Sequence, residues 1–251
     1  MKTLAFNSYN PNISLNSEPD NPYWISFSDI MAGLLVIFIL ASVLLIIKLS
    51  NMQNKVENAI SEIQNTNYIR SLMLTEIKEI LAKKGINVEI SENQSVLRIP
   101  DERLYFESLS YEIPSNKKKL VGEIGRTLYY AILKKDRYKY IDTIFIEGHT
   151  DSLKAASINM GNWGLAAYRA ISVWKYWSEE LEIGWKLRTL KNSYNKPMFS
   201  VSGYAATRPL ISKDDTEYKR RKNRRIDLRF SMKKPIIADY ENILSILDVT
   251  K

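Results

Sequence analysis

Three side chains in this sequence have both the chemistry and the surroundings to do more than fold. Asp29 stands in WISFSDIMAGLL, where a long apolar run begins. A carboxylate drawn toward a bilayer costs up to about 2.5–3.5 kcal/mol at the centre, less near an end, and it can bind and release a proton there. The same residue has a plainer use, since Ser26, Ser28 and Asp29 are all N-cap types and Asp favours a helix start. Composition leaves the two readings level. The second and third side chains are Asp151 and Arg169. Asp151 closes GHTD (148–151) behind the strongest strand pattern, IDTIFIEG, and Arg169 follows 18 residues later on a helical pattern. Asn162 and Leu165, earlier on that helix, can face the same crevice. An Asp and an Arg beside one pocket suit a zwitterion, the Asp for an ammonium and the Arg for a carboxylate in a two-pronged bond.

The remaining residue types mostly exclude. Zero Cys and one His in 251 residues leave no disulfide scaffold, no thiolate metal site, no Cys nucleophile and no two-His metal site. His149 beside Asp151 lacks a third ligand or a nucleophile nearby and reads as a hydrogen-bonded loop residue, after a Gly148 that ends the strand and lets the chain turn. No pair of carboxylates at glycosidase spacing and no nucleophile–base set can be argued, so the expectation is a non-enzyme with no metal and no cofactor. Net charge is +8, from 36 Lys+Arg against 28 Asp+Glu, which leaves nucleic acid, an anionic membrane surface or an acidic wall polymer as partners. The basic stretch Lys213, Lys219 to Lys222, Arg224 and Arg225 has only Tyr218 as a stacking platform, favouring a solvated face or wall contact over direct nucleic-acid binding. Arg224 and Arg225 are expected to pair with acids at a sheet edge.

These residues need elements to position them. Ile30 to Ile47 are 18 residues without a charge, about 27 Å as a helix against a hydrocarbon core of about 30 Å. Tyr23 and Trp24 suit an interfacial belt and Lys48 can snorkel, giving one uncleaved membrane anchor over 23–48. Residues 1–22, rich in Asn, Ser and Pro, read as a disordered tail. Over 49–85, Val56, Ile60, Ile63, Asn67, Arg70, Leu74, Ile77 and Leu81 follow 4-3 spacing. This reads as a short coiled-coil linker with a polar break, or as an amphipathic helix packed on its own domain. From 86 to 233 the pattern alternates. INVEI, SVLRI, IDTIFIEG, MFSVSGY and RRIDLRFSM read as strands, 114–134 and 162–182 as helices, and 184–197 as a loop. This predicts an α/β (α+β) sandwich with helices against a sheet. Residues 234–251 are predicted to end in a helix.

Four pieces in order, GHTD (148–151), LAAYRA (165–170), SGYAATRP (202–209) and NRRIDL (223–228), resemble the OmpA-like peptidoglycan-binding domain. The resemblance implies binding of the diaminopimelate-type stem peptide, with Asp151 and Arg169 as the family's aspartate and arginine and with Thr150, Asn162 and Leu165 lining the pocket. An acid-bearing anchor, a linker and such a domain together resemble the B subunit of ion-driven stators, the MotB-like family. The anchor text is most similar to the corresponding subunit of the Zorya anti-phage defence system.

That resemblance implies that Asp29 carries a proton, or a sodium ion with help from Ser26 and Ser28. It implies a homodimer inside a pentameric multi-pass A subunit, with peptidoglycan as the fixed point. It also implies an inner-membrane protein with a cytoplasmic N-terminus and a periplasmic C-terminal domain. The positive-inside count alone points the other way, because Lys48 and Lys55 follow the anchor while Glu18 and Asp20 precede it. A flagellar stator subunit and a passive wall tether are the alternatives.

Overall fold

Five short stretches rich in β-branched residues pair into one sheet, in an order that is not their order in the chain. The computed structural model describes residues 22–234 apart from 101–103, 105 and 107–108. Residues 1–21 of the expected tail, and the expected C-terminal helix beyond Lys234, lie outside the described residues. The strands are β1 (Glu89–Ser91), β2 (Val96–Pro100), β3 (Ile141–His149), β4 (Phe199–Gly203) and β5 (Arg225–Met232), ordered β1-β2-β5-β3-β4. Only β3 and β4 run parallel. A parallel pair needs a crossover, and helix α3 (Gly161–Lys175) supplies it.

Side-chain alternation divides the sheet. On β5, Ile226, Leu228 and Phe230 join the apolar core, while Arg225, Asp227 and Arg229 take the opposite face. The core closes with Ile124, Leu128 and Ile132 of α2 (Ser115–Leu133) and with Trp177, whose indole donates to the Val121 carbonyl at 2.8 Å. Trp177 lies in a π-helical turn (Tyr176–Glu180) that continues α3. The fold is thus the mixed α/β sheet domain expected from the alternating pattern.

The chain divides into two compact units, Met1–Val56 and Glu57–Lys251. Helix α1 (Pro22–Lys83) belongs to both. In the first unit its apolar side chains stand exposed, and among the described residues it is the one helix long and apolar enough to cross a membrane. Ser28 and Ser42 donate to the carbonyls four residues back, at 2.8 Å each, so neither hydroxyl competes with the helix from outside. Asp29 lies seven residues inside a helix that starts at Pro22, so it is not an N-cap.

In the second unit the stripe on α1 changes partner midway. Met73, Leu74, Ile77 and Leu81 are fully buried in the domain core, whereas Ile60 and Ile63 remain about half exposed. The polar break falls between them: Arg70 reaches the Asn93 carbonyl at the rim of the domain, 3.4 Å away. Beyond that rim no sheet remains to cover the stripe. Glu76 receives both Lys134 and, at 2.8 Å, Arg137, which holds its carboxyl below the usual range, the Lys134 hydrogen bond first. The last turns of the expected linker are therefore part of the domain. Gly85, at φ +74°, then ends α1, with the Ile86 amide donating to the Leu81 carbonyl.

Two segments differ from the sequence reading. Residues 184–197 are not an open loop. They contain α4 (Gly184–Thr189), and the buried Asn192 pins the rest by donating to the Asp142 carbonyl and accepting from the Tyr194 and Lys196 amides. The basic stretch holds a short helix, α5 (Glu217–Asn223), capped by Thr216, whose hydroxyl accepts from the Lys219 amide.

Candidate functional site

The site exists because α3 lies directly on the sheet. A Cβ on Gly148 would sit 1.9 Å from the Ala166 carbonyl oxygen, and one on Gly203 2.6 Å from the Ala167 nitrogen. Gly148 therefore serves close backbone approach inside β3, not the turn expected of it. With α3 pressed against β3 and β4, Leu165 and Arg169 come beside the strand end that carries Thr150 and Asp151. The four predicted residues line one cavity of about 130 Å³.

Asn162, the fifth, works one layer out. Its carbonyl oxygen accepts from the Ala155 amide at 2.8 Å and its amide donates to the Asp151 carbonyl at 3.2 Å. It shapes the 151–155 loop without lining the cavity.

Asp151 is nearly buried, and both its carboxylate oxygens are engaged, one by the Leu153 amide at 3.2 Å, the other by Arg224 at 2.7 Å. Arg224 also pairs with Glu217 at 2.5 Å. That hydrogen bond is the main reason the Glu217 carboxyl is pulled down to about 2. Arg169 is almost fully buried; its Nε donates to the Ser110 carbonyl at 2.9 Å and its guanidinium lies over the Phe106 ring at 5.0 Å. Two guanidiniums and two carboxylates thus face one small space. An incoming ammonium can replace Arg224 at Asp151 while Glu217 retains the displaced arginine, and an incoming carboxylate meets Arg169. Thr150 turns its hydroxyl to the Asp151 carbonyl at 3.1 Å, so it is not poised as a nucleophile.

Arg224, Glu217 and Phe106 belong to the site and were not legible as site residues. The signal was present for Arg224: it sits just before β5, so it need not share the face of its neighbour. The two arginines separate accordingly. Arg225 pairs with the buried Asp227 at 3.0 Å, inside the sheet, and Arg224 enters the cavity.

His149 also departs from expectation. It is the last residue of β3, buried, with neither ring nitrogen hydrogen-bonded, and its ring stacks on Tyr204 at 5.4 Å between centroids. Burial first, then the positive Arg225, Arg98, Arg208 and Arg229, push its pKa down to about 3, so it is neutral. Asp227, 3.5 Å from the ring, is already held by Arg98 and Arg225. Among the described residues no cluster of three or more His, Asp or Glu could hold a metal ion.

Residues 105–224 match the OmpA family. The chain is 24% identical over 216 residues to the Zorya protein ZorB of Escherichia coli, a similarity covering 82% of this chain and 87% of that one. A MotB-like protein from Desulfovibrio vulgaris superposes with a TM-score of 0.50 at 17% identity, over 68% of this chain and 98% of that one. The periplasmic domain of Helicobacter pylori MotB gives 0.46 at 25% identity, over 68% and 93%. Within the second unit, residues 105–224 thus resemble the OmpA family, on a fold shared with the MotB-like protein.

Proposed function

We propose that this chain, an OmpA-like domain on a single apolar helix, is the wall-anchored B-type subunit of an ion-driven stator complex in the bacterial inner membrane, acting in anti-phage defence. One observation carries the reading: the similarity to ZorB extends over more of the chain than the second unit contains, so it takes in part of the acid-bearing helix as well as the domain. The Asp151–Arg169 cavity supports the wall-binding half, since a diaminopimelate side chain ends in one ammonium and one carboxylate. Asp29, two turns into an otherwise uncharged apolar stretch, supports the ion-carrying half.

In this reading α1 spans the membrane with its N-terminus cytoplasmic, and the domain lies in the periplasm fixed to peptidoglycan. Protons load and leave Asp29. One charge moved across 100 mV is worth about 2.3 kcal/mol. Each change of charge alters how α1 packs against a surrounding pentamer of multi-pass subunits, and two copies of this chain share that pentamer. Asp29→Asn keeps the shape and removes the charge. In cells carrying the complete system, the variant is expected to insert and assemble normally and to lose protection against phage. Full protection by Asp29→Asn would end the ion-carrier assignment.

A further inference from the structure

A second groove lies beside the Asp151–Arg169 cavity, against the same stretch of chain. It encloses about 500 Å³ between Tyr111 to Lys118 and the outer side of α3. Tyr111 and Tyr168 form one wall, their rings 5.3 Å apart and tilted by 56°. Tyr176 faces them from the far end, with Lys118 5.7 Å from its ring and paired to Glu180 at 2.6 Å. We propose that this groove binds the glycan strand of the polymer whose stem peptide enters the neighbouring cavity, an inference that rests on the peptidoglycan reading above.

The chemistry fits on both surfaces of a sugar. A pyranose ring presents an apolar C–H face and a rim of hydroxyl and N-acetyl groups, and phenol rings offer the matching apolar face with a polar edge. Ser115, Ser172 and Lys175 line the groove and supply donors and acceptors for the rim. The volume lies within the range of about 300–1,000 Å³ typical of ligand sites.

The two spaces are also immediate neighbours. Leu109 lines the cavity and Tyr111 the groove, and Ser110 between them is fastened by Arg169 through its carbonyl. On α3, Tyr168 faces the groove and the next residue, Arg169, the cavity. A wall about one residue thick thus separates them. The stem peptide branches from the sugar, and each extended residue spans about 3.3–3.6 Å, so a diamino acid a few residues along stays roughly 10 Å from the strand.

The test uses the full-length chain in detergent with two probes: peptide-free glycan strands prepared with an amidase, and the free diaminopimelate-containing stem peptide. The wild type is expected to bind both. Tyr111→Ala and Tyr168→Ala should each weaken glycan binding about tenfold and leave peptide binding within about twofold, while Tyr111→Phe and Tyr168→Phe retain both. Asp151→Ala should do the reverse. Peptide binding without glycan binding by the wild type, or glycan binding unchanged in both Tyr→Ala variants, would overturn the glycan groove and leave the peptide site standing. Glycan binding without peptide binding would instead overturn the peptide reading. Binding of neither would overturn both.

Discussion

At the scale of residues, the cavity is a balanced set of charges with its own resident counter-ion. Asp151 already holds Arg224, so an ammonium entering as proposed would have to displace it, and its gain would be the difference between two charge-assisted bonds. Asp151→Asn removes the charge and keeps the shape, and Arg224 stays paired with Glu217, so the domain is expected to fold. Sedimentation of the variant with purified peptidoglycan should weaken about tenfold or more, as hydrogen bonds to charged groups contribute about 1.5–3 kcal/mol. Arg169→Lys should weaken it comparably, because lysine keeps the charge but loses the fork that holds the Ser110 carbonyl and would meet a ligand carboxylate. Unchanged pelleting of both variants would show that the wall contact lies elsewhere. Asp151 and Arg169 were legible because a strand-end acid and a helix arginine in register are local patterns. Glu217 was not, since the pairing needs the short helix α5, which sets it two turns from Arg224 and was not read from the sequence.

At the scale of elements, one contact positions the site: α3 against β3 and β4. Two glycines admit it, and a side chain at Gly148 would meet backbone, which cannot yield as a flexible side chain can. Gly148→Ala is expected to destabilise the domain by about 3 kcal/mol, the upper part of the overpacking range, read as a lowered urea midpoint for the full chain. A midpoint within error of wild type would mean that α3 can lift off the sheet without loss. Helix α1 shows the limit of reading a stripe from spacing. The 4-3 spacing resumes after the polar break at Asn67 and Arg70, yet Leu74, Ile77 and Leu81 are buried in the core while Ile60 and Ile63 are about half exposed. Periodicity fixes which side of a helix is apolar and leaves open what covers it.

At the scale of the whole molecule, the sheet has an apolar face under the helices and a charged face behind it. On the charged side Asp227 binds Arg98 and Arg225, and Glu147 binds Arg229 at 2.8 Å and the Tyr204 hydroxyl at 3.2 Å. His149 is buried among these groups as a neutral ring. Its ordinary pKa is 6.5 and its folded value about 3, so the unfolded chain takes up the proton first. The stability this contributes is complete above pH 6.5 and is lost as pH falls toward 3, at up to about 1.4 kcal/mol per pH unit. It is the only histidine in the sequence, so between pH 6.5 and 5 the decline is nearly its own. The melting temperature of the full chain is expected to fall across that window, and His149→Phe, which can still stack on Tyr204, should flatten the slope. An equal slope in the variant would assign the acid sensitivity to other groups.

The sequence by itself determined the apolar run over 23–48 with its single acid, Asp29, the five strands, and Asp151 and Arg169 as candidates for one pocket. Each of these is written in local periodicity or in residue type at a strand end, and local sterics and burial suffice to read them. Tertiary structure decided the rest. It drew the end of α1 into the core and folded residues 184–197 around Asn192. It sent Arg224 and Arg225 to different partners and set a tyrosine groove against the wall of the charged cavity. All of these depend on residues far apart in the chain becoming neighbours, and no window along the sequence contains both halves of such a contact.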